Sequence, residues 1–396
     1  SVLSGKRVVL GVTGSIACYK ALDLASKLTQ AGALVDTIMT HGATQFVTPL
    51  AFRSLTHRPV VTDAFDSGSE YAVEHVELAR QADVIVVAPA TVHTIAKLAM
   101  GMADDPLTTT VVASKAPLMM APAMDADMFE HPATQENLER LRQRGAVIAG
   151  PGQGRLASGL VGWGRLLETP ELLGYIAYTL GRNGDLKGRT IVVSAGGTAE
   201  PIDPVRVITN HSSGKMGYAV AEAARDRGAR VVLVSAAKGL PNPPLVDVVP
   251  VSTAQQMCDA VLARTEDADA LIMAAAVADY RPLSAADQKI KKTDDDLSIA
   301  LAKTVDILAT ARGDFVRVGF AAESENLVEN ARAKVASKSL DLIAANDITS
   351  EGSGFGTDTN RVTLIDRDMN IDELPLLTKY EVGNRILDRV VQMFRA

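Results

Sequence analysis

The chain of 396 residues is poor in cysteine, carries no basic excess and has no long apolar run. Each shortage excludes a class of protein. Cys18 and Cys258 are the only cysteines and both fall in helix-like stretches, so a disulfide framework is excluded and a reducing cytoplasm is the expected setting. With a net charge of -7 and scattered Lys and Arg, the electrostatic footprint of a nucleic-acid binder is missing. The most apolar stretch, 270–278, is far too short to span a bilayer, and the first residues lack a basic segment followed by a signal-type core. Neither nucleic acid nor a membrane is an expected partner.

What is present is a length sufficient for two or three domains and a hydrophobic content of 47%, enough for a core in each. Strand-like runs at 7–10, 34–39, 84–88, 118–121 and 147–149 alternate with helical patterns, which predicts a parallel sheet covered on both faces. The alternation resumes at 191–194, 230–234, 270–274, 317–321 and 341–345, and closes with a strand near Val362 and a helix over 379–394. Between the two series lies a glycine-rich polar stretch, 181–188, where a boundary costs little. The expected fold class is therefore α/β, with two Rossmann-like, doubly wound domains, 1–188 and 189–396.

Each half opens with a strand feeding a glycine turn. In the first, Arg7 to Leu10 enters Gly11-Val12-Thr13-Gly14-Ser15; in the second, Ile191 to Val193 enters Ser194-Ala195-Gly196-Gly197-Thr198, and Asn210-His211-Ser212-Ser213-Gly214-Lys215 precedes another helix. A glycine turn at a helix start presents free N–H groups to a phosphate, so two ligand sites are expected. The full G-x-G-x-x-G pattern is absent, which argues against a nicotinamide-dependent oxidoreductase.

Several residues admit both a structural and a chemical role. Ser15 can cap a helix or meet a phosphate. His75, at the start of a helical pattern, is either polar surface or a proton acceptor near neutral pH. Asp125 follows a strand end, where it is either an N-cap or a carboxylate over the sheet edge. The run Lys289-Ile290-Lys291-Lys292, with Arg206, Asn210 and Lys215, is either a solvated face or a contact for a polyanion. The alanines of 274–278 leave room for a planar base or sugar. The aperiodic stretch 150–165, rich in glycine, reads equally as a lid or a connector.

The ordered series GVTGSIACYK, APATVHTIAKLA, GMADDPLTTT, PAMDADMFEHPATQENL, DPVRVITNHSSGKMGYAVA, AAAVADYRP, KIKK, VGFAAES and DLIAAND resembles the bifunctional phosphopantothenoylcysteine decarboxylase and phosphopantothenate-cysteine ligase family of coenzyme A biosynthesis. The resemblance covers nearly the whole chain. It implies an N-terminal decarboxylase with FMN held by Gly14, Ser15, Ile16, Thr40, Pro89, Ala90, Thr91 and Thr94, and with His75 handling a proton. Asp125 stands where the family commonly has Asn against the substrate carboxylate. Ser158 stands in the 150–165 flap where the family usually has a proton-donating cysteine, and a hydroxyl is a far weaker acid than a thiol.

For the C-terminal domain the resemblance implies activation of 4'-phosphopantothenate by CTP and attack by cysteine on the acyl-cytidylate. Asn210 is then expected at the acyl group with Arg206 nearby, and Lys289 at the phosphates. The nucleotide is expected along Met273, Ala274, Ala275 and Asp279, beside Val305, Asp306, Ile307, Leu308 and Phe320, within reach of Lys334 and Lys338. Mg2+ is expected near Asp279. The family further implies a homo-oligomer, trimeric through the flavin domains and dimeric through the ligase domains. The alternative is a ligase whose flavin domain is impaired or serves only to bind partners.

Overall fold

All five apolar runs of the first half become parallel strands of a single sheet. A computed structural model describes residues 2–63, 74–292, 297–323, 326–347, 354 and 356–395. The chain divides into two compact units, Ser1–Gly181 and Arg182–Ala396. In the first, six parallel strands lie in the order Val60–Val61, Leu34–Met39, Arg7–Val12, Val84–Ala90, Leu118–Pro122 and Val147–Ile148. The short edge strand Val60–Val61 was not expected. Every residue of Val84–Ala90 is buried, because helices cover both faces of the sheet. Val84, Val86 and Ala88 join the core beneath helices Cys18–Gln30 and Thr169–Gly181, while Ile85 and Val87 join that beneath Val92–Met100 and Pro132–Gln143.

The second unit repeats the scheme with eight strands. Their order is Asp247–Pro250, Arg230–Ser235, Thr190–Ala195, Ala270–Met273, Val316–Glu323, Leu342–Asp347, Val362–Asp366 and Ile371–Glu373, with Val362–Asp366 antiparallel to both its neighbours. Helices Lys215–Arg225 and Lys379–Arg395 cover one face and Ala254–Thr265 the other. The polar stretch expected as a join packs with this unit. Leu186 is fully buried in its core, and Asp185 pairs with Arg227 at 2.6 Å.

In both sheets the strand order reverses beside the first strand, between Arg7–Val12 and Val84–Ala90 and between Thr190–Ala195 and Ala270–Met273. In open α/β sheets, ligands sit in the crevice at that point, beyond the carboxyl ends of the strands. Among the described residues no helix is long and apolar enough to cross a membrane.

Candidate functional sites

In the first unit the switch point is lined with hydroxyls. Thr13, just past the first strand, donates Oγ1 to the Pro89 carbonyl at 2.7 Å and accepts the Thr91 amide at 3.1 Å, tying two strand ends together. Thr91 caps helix Val92–Met100 and Thr40 caps His41–Thr44, accepting from Thr94 and Ala43 respectively. Two helix N-termini therefore open on one sheet edge. Gly14 lies so close to the next loop that a Cβ there would meet the Gly42 carbonyl carbon at 2.9 Å. Ser15 is not the helix cap: its Oγ accepts the Ala17 amide at 3.2 Å, Ala17 takes the N-cap position and the helix begins at Cys18. Hydroxyls, first-turn amides and the exposed apolar side chain of Ile16 suit a cofactor with a phosphate at one end and an aromatic ring at the other.

A cavity of about 520 Å³ adjoins this edge. Ser15 and Ile16 line it on one side, Met124 and Asp125 on another, and the 150–165 stretch closes it with Arg155, Leu156, Ser158 and Arg165. That stretch is an antiparallel hairpin, Gly152–Arg155 with Val161–Arg165, anchored by the Met124 amide donating to the Gly164 carbonyl at 2.9 Å. Asp125 occupies the N-cap position of helix Ala126–Glu130, yet its carboxylate does not cap; it accepts a hydrogen bond from the Ser158 hydroxyl. Lys20, Arg155 and Arg165 line the same cavity as Asp125, and Lys20 and Arg165 both pair with Glu168, each at 2.8 Å, so its wall carries cations that offset the Asp125 charge. Lys20 is also anchored to the Leu166 carbonyl at 3.0 Å. His75 falls in the first turn of helix Glu74–Gln81, and its side chain lies outside the described residues.

The second unit holds two adjoining lobes. The first, about 520 Å³, is lined by Met273, Ala275, Asp279, Val305, Asp306, Ile307, Leu308, Phe320 and Lys338. The second, about 430 Å³, takes in Asn210, Ser212, Ser213, Lys215, Ala274 and Lys379, and shares Ala275, Ala276, Asp279 and Phe320 with the first. The alanine run is stitched into the floor: the Ala275 amide donates to Ser194 Oγ at 3.1 Å and the Ala278 amide to Thr198 Oγ1 at 2.9 Å. Asn210 crosses the mouth, its Nδ2 donating to the carbonyls of Ala276 and Val277 at 3.3 Å each. Asp306 caps helix Ile307–Thr310 and pairs with Lys338 at 3.2 Å.

Two glycines make the turn beneath these lobes possible. Gly196 and Gly214 both have positive φ, near 83° and 82°, and a Cβ on Gly214 would lie 2.5 Å from that of Ala237. Among the described residues no group of three or more His, Cys, Asp or Glu could hold a metal. A cation at Asp279 would need phosphate oxygens and water to complete its shell.

Lys289 and Lys334 stand outside both lobes. Lys289 is exposed, and the residue after it is anchored: the Ile290 amide donates to Asp203 Oδ2 at 3.2 Å. Asp203 also accepts the amides of Val205 and Arg206 at 2.8 Å each and Arg206 Nη1 at 2.6 Å. Burial pushes its carboxyl up, but these donors outweigh that and hold it below the usual carboxylate range. Arg206 therefore fastens the Lys289 loop, donating also to the Ile290 carbonyl at 3.2 Å. Sequence reasoning missed Thr13, Asp203 and Lys379. The first two lay inside recognised motifs, and only their long-range partners reveal the roles.

Residues 1–181 match the Flavoprotein family model, and residues 186–394 match the DNA/pantothenate metabolism flavoprotein C-terminal domain. Fold and sites thus define a two-domain α/β protein whose first half is of the flavoprotein type. The chain is 45% identical over 399 residues to the coenzyme A biosynthesis bifunctional protein CoaBC of Bacillus subtilis (strain 168), covering 99% of this chain and 98% of the relative. Its identity to the protein of the same description from Escherichia coli (strain K12) is 43% over 400 residues, 99% and 98% of the two chains. The chain belongs to the family of CoaBC coenzyme A biosynthesis bifunctional proteins. Among solved structures it is similar to the C-terminal domain of a CoaBC protein, at 41% identity over 54% of this chain and 98% of that one, with a TM-score of 0.46. The protein is a bifunctional enzyme of coenzyme A biosynthesis, and a flavin domain that merely binds partners is not favoured.

Proposed function

We propose that the second unit joins cysteine to 4'-phosphopantothenate at the expense of CTP, and that the first unit then decarboxylates the phosphopantothenoylcysteine formed. The supporting observation is the pair of crevices, one at each switch point, in a chain related over its full length to bifunctional proteins of this pathway.

A carboxylate is a poor acyl donor until its oxygen becomes a leaving group. The acid attacks the α-phosphorus of CTP, pyrophosphate departs, and the cysteine amine displaces CMP from the acyl-cytidylate. The lobe of Met273, Val305, Asp306, Ile307, Leu308 and Phe320 takes the nucleotide, with Lys338 in its wall and Lys334 one turn earlier on the same helix, and the lobe of Asn210, Ser212 and Ser213 takes the acid. Asn210 meets the acyl group, Arg206 holds the neighbouring loop, and Lys289 brings positive charge to the phosphates. Asp279, with phosphate oxygens and water, would hold a Mg2+ that screens the triphosphate.

In the flavin domain Gly14, Ser15, Ile16, Thr40, Pro89, Ala90, Thr91 and Thr94 would hold FMN. When bound, FMN would accept the hydride lost as the substrate thiol is oxidised to a thioaldehyde, the electron sink without which loss of CO2 leaves an unstabilised carbanion, and would return it to the resulting enethiol to give the saturated thiol. His75 handles the proton of that step. Asp125, screened by the cations of the cavity, orients the substrate carboxylate, and Ser158 closes the hairpin over it. The setting is cytoplasmic, and the assembly a homo-oligomer with trimeric flavin and dimeric ligase contacts, which native mass measurement checks.

The deciding experiment supplies purified protein with 4'-phosphopantothenate, cysteine and CTP and follows pyrophosphate and CO2 together. Both are expected, in that order. Absence of both overturns the proposal; pyrophosphate alone restricts it to the ligase.

A further inference from the structure

One lysine in the wall of the second lobe has no part in the scheme above. Lys379 opens helix Lys379–Arg395, is only 5% exposed, and has its ammonium ringed by oxygens. Nζ donates to the carbonyl of Gly354 at 3.1 Å, Asn360 Oδ1 at 3.2 Å, the carbonyl of Thr359 at 3.4 Å and Thr357 Oγ1 at 3.5 Å, and also to the Thr357 carbonyl. An ammonium has three protons, so more acceptors than donors surround it, and the chain is folded around the charge. The Lys379 amide adds a bond to the Asp358 carbonyl at 3.0 Å. From the other side Lys215, the first residue of helix Lys215–Arg225, donates to the Asp358 carboxylate at 2.7 Å and the Gly356 carbonyl at 3.1 Å. Two lysines that open helices thus grip 356–360 between them.

The same lobe collects Asn210, Ser212, Ser213 and the N-terminus of helix Lys215–Arg225. The charged groups bearing on Lys379 are Lys215 and Asp358, and His211 and Asp279 are the lobe's other titratable side chains. The adjoining strands Thr359–Asn360 and Leu377–Thr378 carry no titratable side chain, and Val316–Glu323 presents Phe320, Ala321 and Ala322 here. Burial, then the charge of Lys215, pushes Lys379 down to about 8 against the opposing pull of Asp358. Every oxygen that accepts from Nζ is neutral and the Asp358 carboxylate pairs with Lys215, so the charge of Lys379 is solvated but not neutralised, and it acts on an arriving anion through its field and not through a spare N–H.

We propose that Lys379 is a positioning residue of the ligase domain, which pins 356–360 into the wall of the acid lobe and supplies a positive charge that the phosphorylated acid meets on entry. This rests on the assignment of that lobe to the acid. Linkage then requires that acid binding favours protonated Lys379, and that binding weakens as pH rises past the point where the proton is lost.

The test is steady-state pyrophosphate release by the full chain, wild type and Lys379→Met, from about pH 7 to 9.5, the span that brackets loss of this proton. The variant should raise KM for 4'-phosphopantothenate by about tenfold, the scale of one charge acting through its field, while KM for CTP holds. Wild-type KM for the acid should climb above about pH 8 and the variant's profile should lose that climb. Because the folded value lies below the unfolded one of about 10.4, the unfolded chain binds more protons between the two, and this group's contribution to global stability rises across that window. Unfolding therefore does not account for the climb. Amide exchange at 356–360 should quicken in the variant, independently of turnover.

An unchanged acid KM, equal rises for both substrates, or the same pH profile in both proteins overturns the proposal. If Lys379→Met does not fold, the wild-type profile decides, since a level acid KM over that range overturns it too. A wild type that releases no pyrophosphate refutes the lobe assignment instead, and amide exchange still tests the pinning.

Discussion

Ser158, at the tip of the hairpin, donates its hydroxyl to the carboxylate of Asp125, 33 residues earlier and just beyond the strand Leu118–Pro122. One bond thus ties the cover of the flavin-side cavity to its floor. Ser158→Ala and Asp125→Ala should each hasten tryptic cleavage at Arg155 or Arg165, and the double variant should be no faster than either single one, as expected of two ends of a single contact. Additive effects would show that the two residues act separately. Ser158→Cys keeps the position but supplies a stronger acid, so the ratio of saturated thiol product to CO2 should rise toward its limit of one. An unchanged ratio would remove the flap residue from the reductive step.

His75→Asn should cut CO2 release by about 10²–10⁴-fold, the usual worth of a positioned acid or base, and leave the flavin absorbance intact. Release at the wild-type rate places the proton handling elsewhere.

Lys289 projects from a loop whose next residue is anchored to Asp203 through the Ile290 amide. Lys289→Gln should therefore leave the loop folded while lowering CTP-dependent pyrophosphate release by about 10²–10³-fold. Bound flavin should be unaffected. Normal ligation by this variant would exclude the role at the phosphates.

Asp203 gathers three backbone amides and the Arg206 guanidinium, and its carboxyl titrates below the usual range. A depressed carboxyl contributes stability that is present above the unfolded value of about 3.9 and is lost as pH falls through the folded value. Asp203→Asn should lower the melting temperature at neutral pH, and the gap from wild type should close as the solution is acidified below about pH 4. A gap that stays constant with pH would mean that shape, not charge, carries the effect.

At Gly14 an added Cβ would press on the Gly42 backbone at 2.9 Å, which neither loop relieves by moving a side chain. Gly14→Ala should cost about 1–3 kcal/mol of stability and reduce flavin retained after gel filtration. Full retention would show that the contact between the loops is not needed to shape the site.

The apolar runs and glycine turns determined by themselves that there are two parallel α/β halves with a crevice in each, because a strand buried on both faces must be continuously apolar and a helix start must leave amides unpaired. Ordered motifs likewise made the family legible before any coordinate. Only the tertiary structure decided that Asp125 turns from capping to Ser158, that Arg206 is bound to Asp203, and that 182–188 packs with the second unit. Lys379 shows why: a lysine at a helix start reads as surface until the chain folds oxygens around it. Local pattern specifies which face of an element is buried, whereas the partner of a polar side chain is set by residues brought together from far along the chain.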